Sequence, residues 1–399
     1  MIAPTSFFSD YGCHVRILEE AQVLQQLGNR VTICTYFMGH DVDGLDIRRT
    51  RPFPWRTHYE VGSSRHKIGF DVLLLARTIS LALQAAWARN GAATPRFDVV
   101  HGHLHEGALI GWVASRLLGI PLVFDFQGSM TGEMIDHRFL NPKGPLYRPW
   151  RWLEESIVRL PSAVITSSQH AASLLQQEFH CAPDKITAVP DCANGDFFAP
   201  RPPVDASAAL KAGLDIPAER EVVVYLGLLA EWQGTGLLLQ AAQQLLSRRP
   251  NAHFLIMGYP SVEFYRLQAQ TLGLNSHVTF TGKVPYDQAP GFLALGDVAV
   301  APKISATEGS GKLLNYMAMG LPTVAFDVPV SREYLAEAGI YAQPGDATSL
   351  ALALERALAV KEDSQARGQA LRQRAVEHYS WGVAGAMIMD VYDRVCRKV

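Results

Sequence analysis

The stretch Ala306–Phe326, "ATEGSGKLLNYMAMGLPTVAF", decides how this chain is read. An acid, Glu308, precedes a Gly-Ser-Gly-Lys turn at Gly309, Ser310, Gly311 and Lys312. A strong helix former, "KLLNYMAMG", follows, and then an apolar strand, "PTVAF". Turn, helix and strand in so short a space form the repeating unit of a parallel α/β sheet. The glycines let a ligand approach the backbone closely. The free N–H groups and positive dipole end of the helix face the same turn. A negative charge placed there gains roughly 0.3–1 kcal/mol, and Lys312 adds a full positive charge. The pattern is that of a phosphate cradle, with a Gly-rich surface turn before a core helix as the alternative.

A second stretch points the same way. In "VVVYLGLLAEWQGTGLLLQAA", Val222 to Ala242, a strand ends at Gly227, a loop passes through Gly234, and a helix begins near Gly236. Two common phosphate motifs are excluded. A nucleotide-triphosphate loop needs a glycine where Ala306 stands and Ser or Thr where Leu313 stands. Both Gly309-x-Gly311 and Gly234-x-Gly236 lack the third glycine of a dinucleotide fingerprint.

Working outward, strand and helix patterns alternate almost throughout. "FDVVHGH", "PLVFDF" and "AVITSS" are short apolar runs of the buried parallel type. "HVRILEEAQVLQQLG" reads as a helix with Ile17, Ala21 and Leu24 on one face and Gly28 as its stop. A proline-rich passage, Phe198 to Arg220, separates a second series of strands, "EVVVYLG", "AHFLIMG", "HVTFTG" and "DVAVAP". The expected fold class is α/β, with two Rossmann-like doubly wound domains, 1–200 and 201–380, facing across a cleft. The tail 381–399 carries Val383, Met387, Val391 and Val395 at every fourth residue and reads as an amphipathic helix packing back on the first domain.

The chain has 399 residues, a net charge of −2 and 48% hydrophobic residues. The length implies two domains. The charge excludes nucleic-acid binding driven by overall charge. Five scattered cysteines with no CxxC pair point to a reduced, cytoplasmic compartment. "FDVLLLARTISLALQAAWA", Phe70 to Ala88, is the most apolar run; Asp71, Arg77 and Gln84 make it read as a buried helix rather than a membrane span.

Taken as a set, these stretches resemble the family 4 glycosyltransferases, which have the GT-B fold. The resemblance rests on "APTSFFSDYGCHVRILEEAQVLQQLG", "DVVHGHLHEGALIG", "VPDCANGDFFAP", "HVTFTGKVPYDQAPGFLALGDVAVAP", "EGSGKLLNYMAMGLPTVAF" and the final "YSW…VY", and covers nearly the whole chain. It implies transfer of a sugar from a nucleotide-diphosphate-sugar to a hydroxyl acceptor (lipid, lipid-linked sugar or glycan), with retention and without metal or other cofactor. It implies Glu308 and Lys312 as catalytic residues. Gly227, Gly234, Gly282, Lys283, Gly309, Ser310, Gly311, Leu313 and Asn315 are implied to hold the donor. Gly12 has two readings: it closes over the diphosphate, or it is a helix-entry glycine. The first domain would hold the acceptor through His103, Gln127 and Glu133. His103 also reads as a core histidine, and Glu133 as part of a solvated loop.

The sequence departs from the family pattern at several of these places. Asn315 stands where a second glutamate is usual, and the spacing fits Glu308 only if the loop is one residue shorter. Leu228 and Gln233 occupy the places of an Arg and a Lys that reach the diphosphate, so Lys312 is left to supply the cation. Gln127 replaces a histidine. These losses also fit a catalytically weak relative that binds a nucleotide or glycan without transfer.

Three other stretches carry residues suited to a site. Asp41 and Asp43 have the spacing of a metal-binding acid pair but lie in a polar loop and read as a solvated turn. His101, His103 and His105 share one strand face if the strand persists, and three imidazoles suit zinc; a core or cleft role is the preferred reading. "RPWRWLEESIVRL", with Arg148, Trp150, Arg151 and Trp152, suits either a packed helix edge, the preferred reading, or a peripheral membrane contact.

Overall fold

The computed structural model describes residues 1–9, 12–52, 67–87, 96–136, 139–200, 205–304 and 309–397. The chain divides into two compact units, Met1–Pro190 with Trp381–Val399, and Asp191–Ala306 with Ser310–Ser380. The division at Pro190 and Asp191 precedes the proline-rich passage, which the sequence suggested as the break.

The first unit is built on seven parallel strands: β1 (Ile2–Ala3), β2 (Thr32–Thr35), β3 (Asp46–Arg49), β4 (Val100–His103), β5 (Leu122–Phe126), β6 (Ala163–Thr166) and β7 (Ile186–Ala188). Their order is β3-β2-β1-β4-β5-β6-β7, so the winding reverses between β1 and β4. A parallel strand covered on both faces must be apolar throughout. In the wholly buried β5, "LVFDF", the single exception is Asp125. Its register partner on β4 is His103, and the two polar groups meet at the carboxyl edge of the sheet.

Helix α1 (Gly12–Gln26) buries Ile17, Ala21 and Leu24, as its spacing predicts. The C-terminal helix Trp381–Cys396 packs against α1 so closely that a Cβ at Gly385 would stand 2.7 Å from a methyl of Val23. Its buried stripe runs through Trp381, Ala384, Ile388, Val391 and Val395, and Val383 is exposed. The expected every-fourth-residue stripe is corrected here: a helix turns once in about 3.6 residues, so a straight seam alternates steps of three and four.

The apolar run becomes α2 (Lys67–Trp87), which packs along α3 (Leu104–Leu118). It buries only one narrow stripe, Phe70, Leu74, Thr78 and Ala82. The expectation of a buried helix is therefore corrected. Composition showed that the helix is apolar; it did not show how much of that surface has a partner.

The second unit has six parallel strands: β8 (Glu221–Leu226), β9 (Ala252–Met257), β10 (Val278–Gly282), β11 (Val298–Ala301), β12 (Thr323–Phe326) and β13 (Ile340–Ala342). Their order is β10-β9-β8-β11-β12-β13, with the reversal between β8 and β11. Alternate residues of β8 point to opposite cores. Val222 and Val224 lie in one apolar cluster, and Val223 and Tyr225 in the other.

Candidate functional site

Open α/β sheets bind ligands outside the carboxyl ends of their strands where the winding reverses. In the second unit that place is between β8 and β11. Leaving β8, the chain passes through Gly227, with φ +154°. The side chain of Lys312, from the first turn of the helix Gly311–Ala318, crosses directly over it. A Cβ at Gly227 would stand 2.5 Å from Lys312 Nζ. The glycine is thus what leaves room for the lysine.

The ammonium is then held. Lys312 Nζ donates to Gln233 Oε1 at 2.9 Å and to the Tyr225 hydroxyl at 3.2 Å. It also lies 4.3 Å from the Tyr225 ring centroid, an attractive cation–π distance. The Tyr225 hydroxyl in turn donates to the carbonyl of Leu228 at 2.7 Å. Burial pushes its pKa upward, so it stays a neutral hydroxyl. Gln233 and Leu228 therefore do not leave an empty place where the resemblance expected two cations. Gln233 and Tyr225 form the seat of a cation supplied from another helix, and the Leu228 carbonyl holds the Tyr225 hydroxyl in place.

The helix itself is firmly fixed. Leu313, Leu314 and Met317 sit in the core, and the Tyr316 hydroxyl accepts from Leu226 N–H at 2.8 Å. At its N-terminus Ser310 is buried, and its hydroxyl has no hydrogen-bond partner. The Asp191 carboxylate lies 3.9 Å from where a Cβ of residue 311 would stand. Lys303, just past β11, is a second buried cation near the same edge.

Gly234 adopts φ +76° and precedes the helix Thr235–Leu246; a Cβ there would collide with the Pro302 carbonyl at 1.9 Å. Gly282 ends β10 with φ +74°, and its carbonyl accepts from Gly258 N–H at 2.9 Å. Lys283 is exposed beside the Tyr259 ring. Asn315 is half-buried, one turn along the helix. The Leu313 side chain is in the core, and its N–H bonds the Ser310 carbonyl at 2.9 Å. Glu308 lies outside the described residues.

In the first unit the reversal between β1 and β4 is filled by side chains. Arg16 of α1 donates from Nε and Nη2 to the two oxygens of Asp125, at 3.1 and 3.0 Å, and its Nε is also 3.0 Å from Glu20. His103 Nδ1 lies 3.0 Å from Asp125 Oδ2, and Gln127 Nε2 donates to the same oxygen at 2.6 Å. His101 stacks on His103 at 4.5 Å, and its Nδ1 meets the Tyr392 hydroxyl of the C-terminal helix at 2.6 Å. Burial alone would raise the Asp125 pKa, but Arg16 and His103 together hold it far below the usual carboxylate range. Burial lowers both His101 and His103 despite Asp125 nearby. The pair is neutral beside an anionic Asp125, with the His103 proton on Nδ1.

Of the acceptor-side candidates, His103 is wholly buried, while Gln127 and Glu133 are half-buried. Glu133 lies in helix α4 (Met130–Asp136), not in a loop, and its charge acts on Cys13. Burial, with Glu133 adding to it, pushes the Cys13 thiol up to about 12. The N–H groups at the start of α4 are taken by the buried Glu154 carboxylate. Gly12 opens α1, is exposed, and has open space where a Cβ would be.

The rival sites resolve in the same way. β4 ends at His103, and Leu104 has φ +60°, so His105 leaves the strand face and turns toward Glu154, at 3.4 Å. Glu20, His101, His103 and Asp125 do present ligand atoms within 4.8 Å of one another. Arg16 already engages both acids of that group. Asp41 is an exposed turn residue paired with Arg49 at 2.8 Å. Arg151 packs its guanidinium 3.9 Å from the Phe179 ring centroid and pairs with Glu178, whereas Trp152 points outward.

Tyr225, Arg16, Asp125, Asp191 and Lys303 were not among the sequence candidates. Tyr225 and Asp125 carried one signal that could have found them: each is a polar side chain inside an otherwise apolar strand.

Two parallel-sheet units, each with one reversal, are the architecture of the GT-B glycosyltransferase fold. Residues 11–192 match the family model described as "Glycosyl transferase 4-like domain", and residues 220–359 match "Glycosyl transferases group 1". A phosphatidyl-myo-inositol mannosyltransferase of Mycobacterium leprae is 27% identical, over 99% of this chain and 96% of that one. A D-inositol 3-phosphate glycosyltransferase of Thermobispora bispora is 24% identical, over 97% and 91%. Among solved structures, Anabaena HepE in complex with UDP and glucose superposes with a TM-score of 0.76 at 14% identity, over 98% of each chain. The chain belongs to the family 4 glycosyltransferases.

Proposed function

We propose that this glycosyltransferase is retaining and metal-independent, and that its acceptor is a hydroxyl of a cyclic polyol phosphate or of the corresponding phospholipid headgroup. The observation that carries the donor side is the Lys312 ammonium, seated on Gln233 and Tyr225 at the β8–β11 reversal. The acceptor class follows the names of the inositol phosphate and phosphatidyl-inositol relatives.

In the reaction, the bond between the anomeric carbon and the β-phosphate oxygen breaks. The acceptor oxygen bonds the same carbon on the same face, and its proton passes to the departing phosphate oxygen. Negative charge grows on the diphosphate, and Lys312 with the helix N-terminus stabilises it. A charge-assisted hydrogen bond of this kind contributes about 1.5–3 kcal/mol. The Ser310 hydroxyl would find its partner in a phosphate oxygen. Glu308 would bind donor-sugar hydroxyls and Asn315 a ribose hydroxyl. Gly12 would serve the diphosphate, and Gln127 and Glu133 the acceptor.

A thermal-shift panel of UDP-, GDP- and ADP-sugars identifies the donor. A ligand present at about a hundred times its Kd adds about 2.7 kcal/mol to stability. Lys312→Ala should weaken that donor about tenfold to a hundredfold and leave the ligand-free melting temperature nearly unchanged. NMR of the product made from inositol phosphate then reads the anomeric configuration, with and without chelator. An inverted product, or loss of turnover with chelator, overturns the mechanism. Donor binding with no turnover on any acceptor favours the binding-only alternative.

A further inference from the structure

We infer that the amino ends of β8, β9 and β10, at the opposite edge of the second sheet from Lys312, bind a phosphate dianion, free or as a monoester. Four basic side chains meet there. Lys211, from the helix Asp205–Gly213, donates to the carbonyls of Arg220 at 3.3 Å and Ala218 at 3.5 Å. Arg220, just before β8, donates to the Pro250 carbonyl and lies 3.0 Å from His277 Nδ1. His277, just before β10, is 3.1 Å from the Ala252 carbonyl at the start of β9. His253, the next residue of β9, is only 3% exposed. Its Nε2 is 2.9 Å from the Thr279 hydroxyl, and its Nδ1 has no hydrogen-bond partner.

The charges of this cluster do not cancel. Lys211 and Arg220 rest on neutral carbonyls, and among the described residues no carboxylate pairs with either. The adjoining acids are engaged elsewhere or face water. Glu221 pairs with Arg249 at 3.2 Å, and the Asp297 carboxylate accepts from Val222 N–H at 2.8 Å. Asp215 and Glu219 are exposed. Burial first, and then the charges of Arg220, His277 and Lys211, push the His253 pKa down to about 4, with no acid acting against them. Positive groups crowded at the edge of a low-dielectric core repel one another, and a bound dianion offsets that cost. Lys211, Arg220 and His277 are half-buried, so an anion reaches them from solvent. A guanidinium fork beside an ammonium suits the several oxygens and double charge of phosphate. Strand β8 is six residues long, which puts this edge about 20 Å from the seat of Lys312. The inference therefore does not rest on the proposed reaction.

Melting curves of the full chain in sodium phosphate, against sodium chloride of equal ionic strength, test it. Phosphate should raise the melting temperature. Lys211→Gln with Arg220→Gln should weaken phosphate at least about tenfold and so remove the rise. Should that pair fold poorly, Lys211→Gln alone should still weaken phosphate about tenfold. Lys312→Ala should keep the rise, because its cation belongs to the other edge. In NMR at neutral pH the ring C–H signals of His253 and His277 should move with added phosphate, and that of the exposed His378 should stay. Glycerol 3-phosphate tells the two sources apart: a larger rise than with inorganic phosphate assigns the monoester, an equal one the free anion. No rise with either, or a rise that the glutamine variants keep, overturns the inference and leaves the cluster as a staple of the loop before β8. A rise that Lys312→Ala alone abolishes overturns it too, by placing the phosphate in the donor site. The donor panel is read without phosphate, so its outcome is separate from these.

Discussion

The two sheets reverse at equivalent points of their topology, β1–β4 and β8–β11, and the two reversals are furnished in opposite ways. In the first, Asp125 accepts from Arg16, His103 and Gln127, and the partners of every charge come from the chain itself. In the second, glycine and neutral acceptors seat a cation, and a buried serine hydroxyl at the neighbouring helix start has no partner. The first reversal holds a carboxylate with the chain's own donors, although Nε2 of His101 and of His103 there also have no hydrogen-bond partner, and the second presents a cation to an anion. Topology supplies the place; the sign of the charge held there says which kind of ligand would complete it.

The sharpest way to break this contrast is to remove Asp125. Asp125→Ala leaves the Arg16 guanidinium buried without its main carboxylate, which typically costs about 3–5 kcal/mol. Urea unfolding should show that loss, or the variant should fail to fold. Asp125→Asn keeps the shape and one acceptor and should cost less. It should also retain the donor-induced thermal shift, since the network belongs to the other unit. A near-neutral Asp125→Ala would mean that Asp125 is not what holds the Arg16 guanidinium.

The second test runs through Gly227. Alanine there places a Cβ 2.5 Å from Lys312 Nζ. That atom is the end of a flexible chain, so the lysine moves while the fold holds, at a strain of about 1–2 kcal/mol for the left-handed backbone. The donor should bind about tenfold more weakly, and Lys312→Ala combined with Gly227→Ala should add little further loss. Independent, additive losses would show that the glycine serves the ligand directly rather than the lysine.

The contrast also explains what was legible beforehand. Parallel strands announce themselves by apolar runs, and the helix after Gly311 by its composition, because both signals are local. The role of Lys312 was legible from the turn that carries it, but its seat was not. Tyr225 and Gln233 lie 87 and 79 residues away, and no local pattern links them. The bond from His103 to Asp125 was not legible either, because nothing in "HGHLH" points to a residue of the next strand. The α2 pattern revealed an apolar helix but not its uncovered side, which depends on what the rest of the unit places there.

The smallest effect asks whether the first unit holds a second carboxylate, away from its reversal, as firmly as Asp125. Asp71 sits on α2 with the Tyr36 hydroxyl 2.5 Å away. Burial, helped by the Glu106 charge, raises its carboxyl to about 6. A raised acid favours folding when protonated. Its contribution is fully present below the ordinary carboxyl value and is lost as pH rises through about 6. Near about pH 8 the fold therefore carries an unfavourable, partly buried anion. Asp71→Asn keeps an oxygen for Tyr36 and removes the charge. It should stabilise the chain by about 1 kcal/mol near pH 8 and by almost nothing below about pH 4, read from urea midpoints at each pH. A gain that is constant with pH would come from some other source than the charge. A loss near about pH 8 would mean that the Tyr36 bond to the anion outweighs its desolvation, and Asp71 would then be held as an anion in the same sense as Asp125.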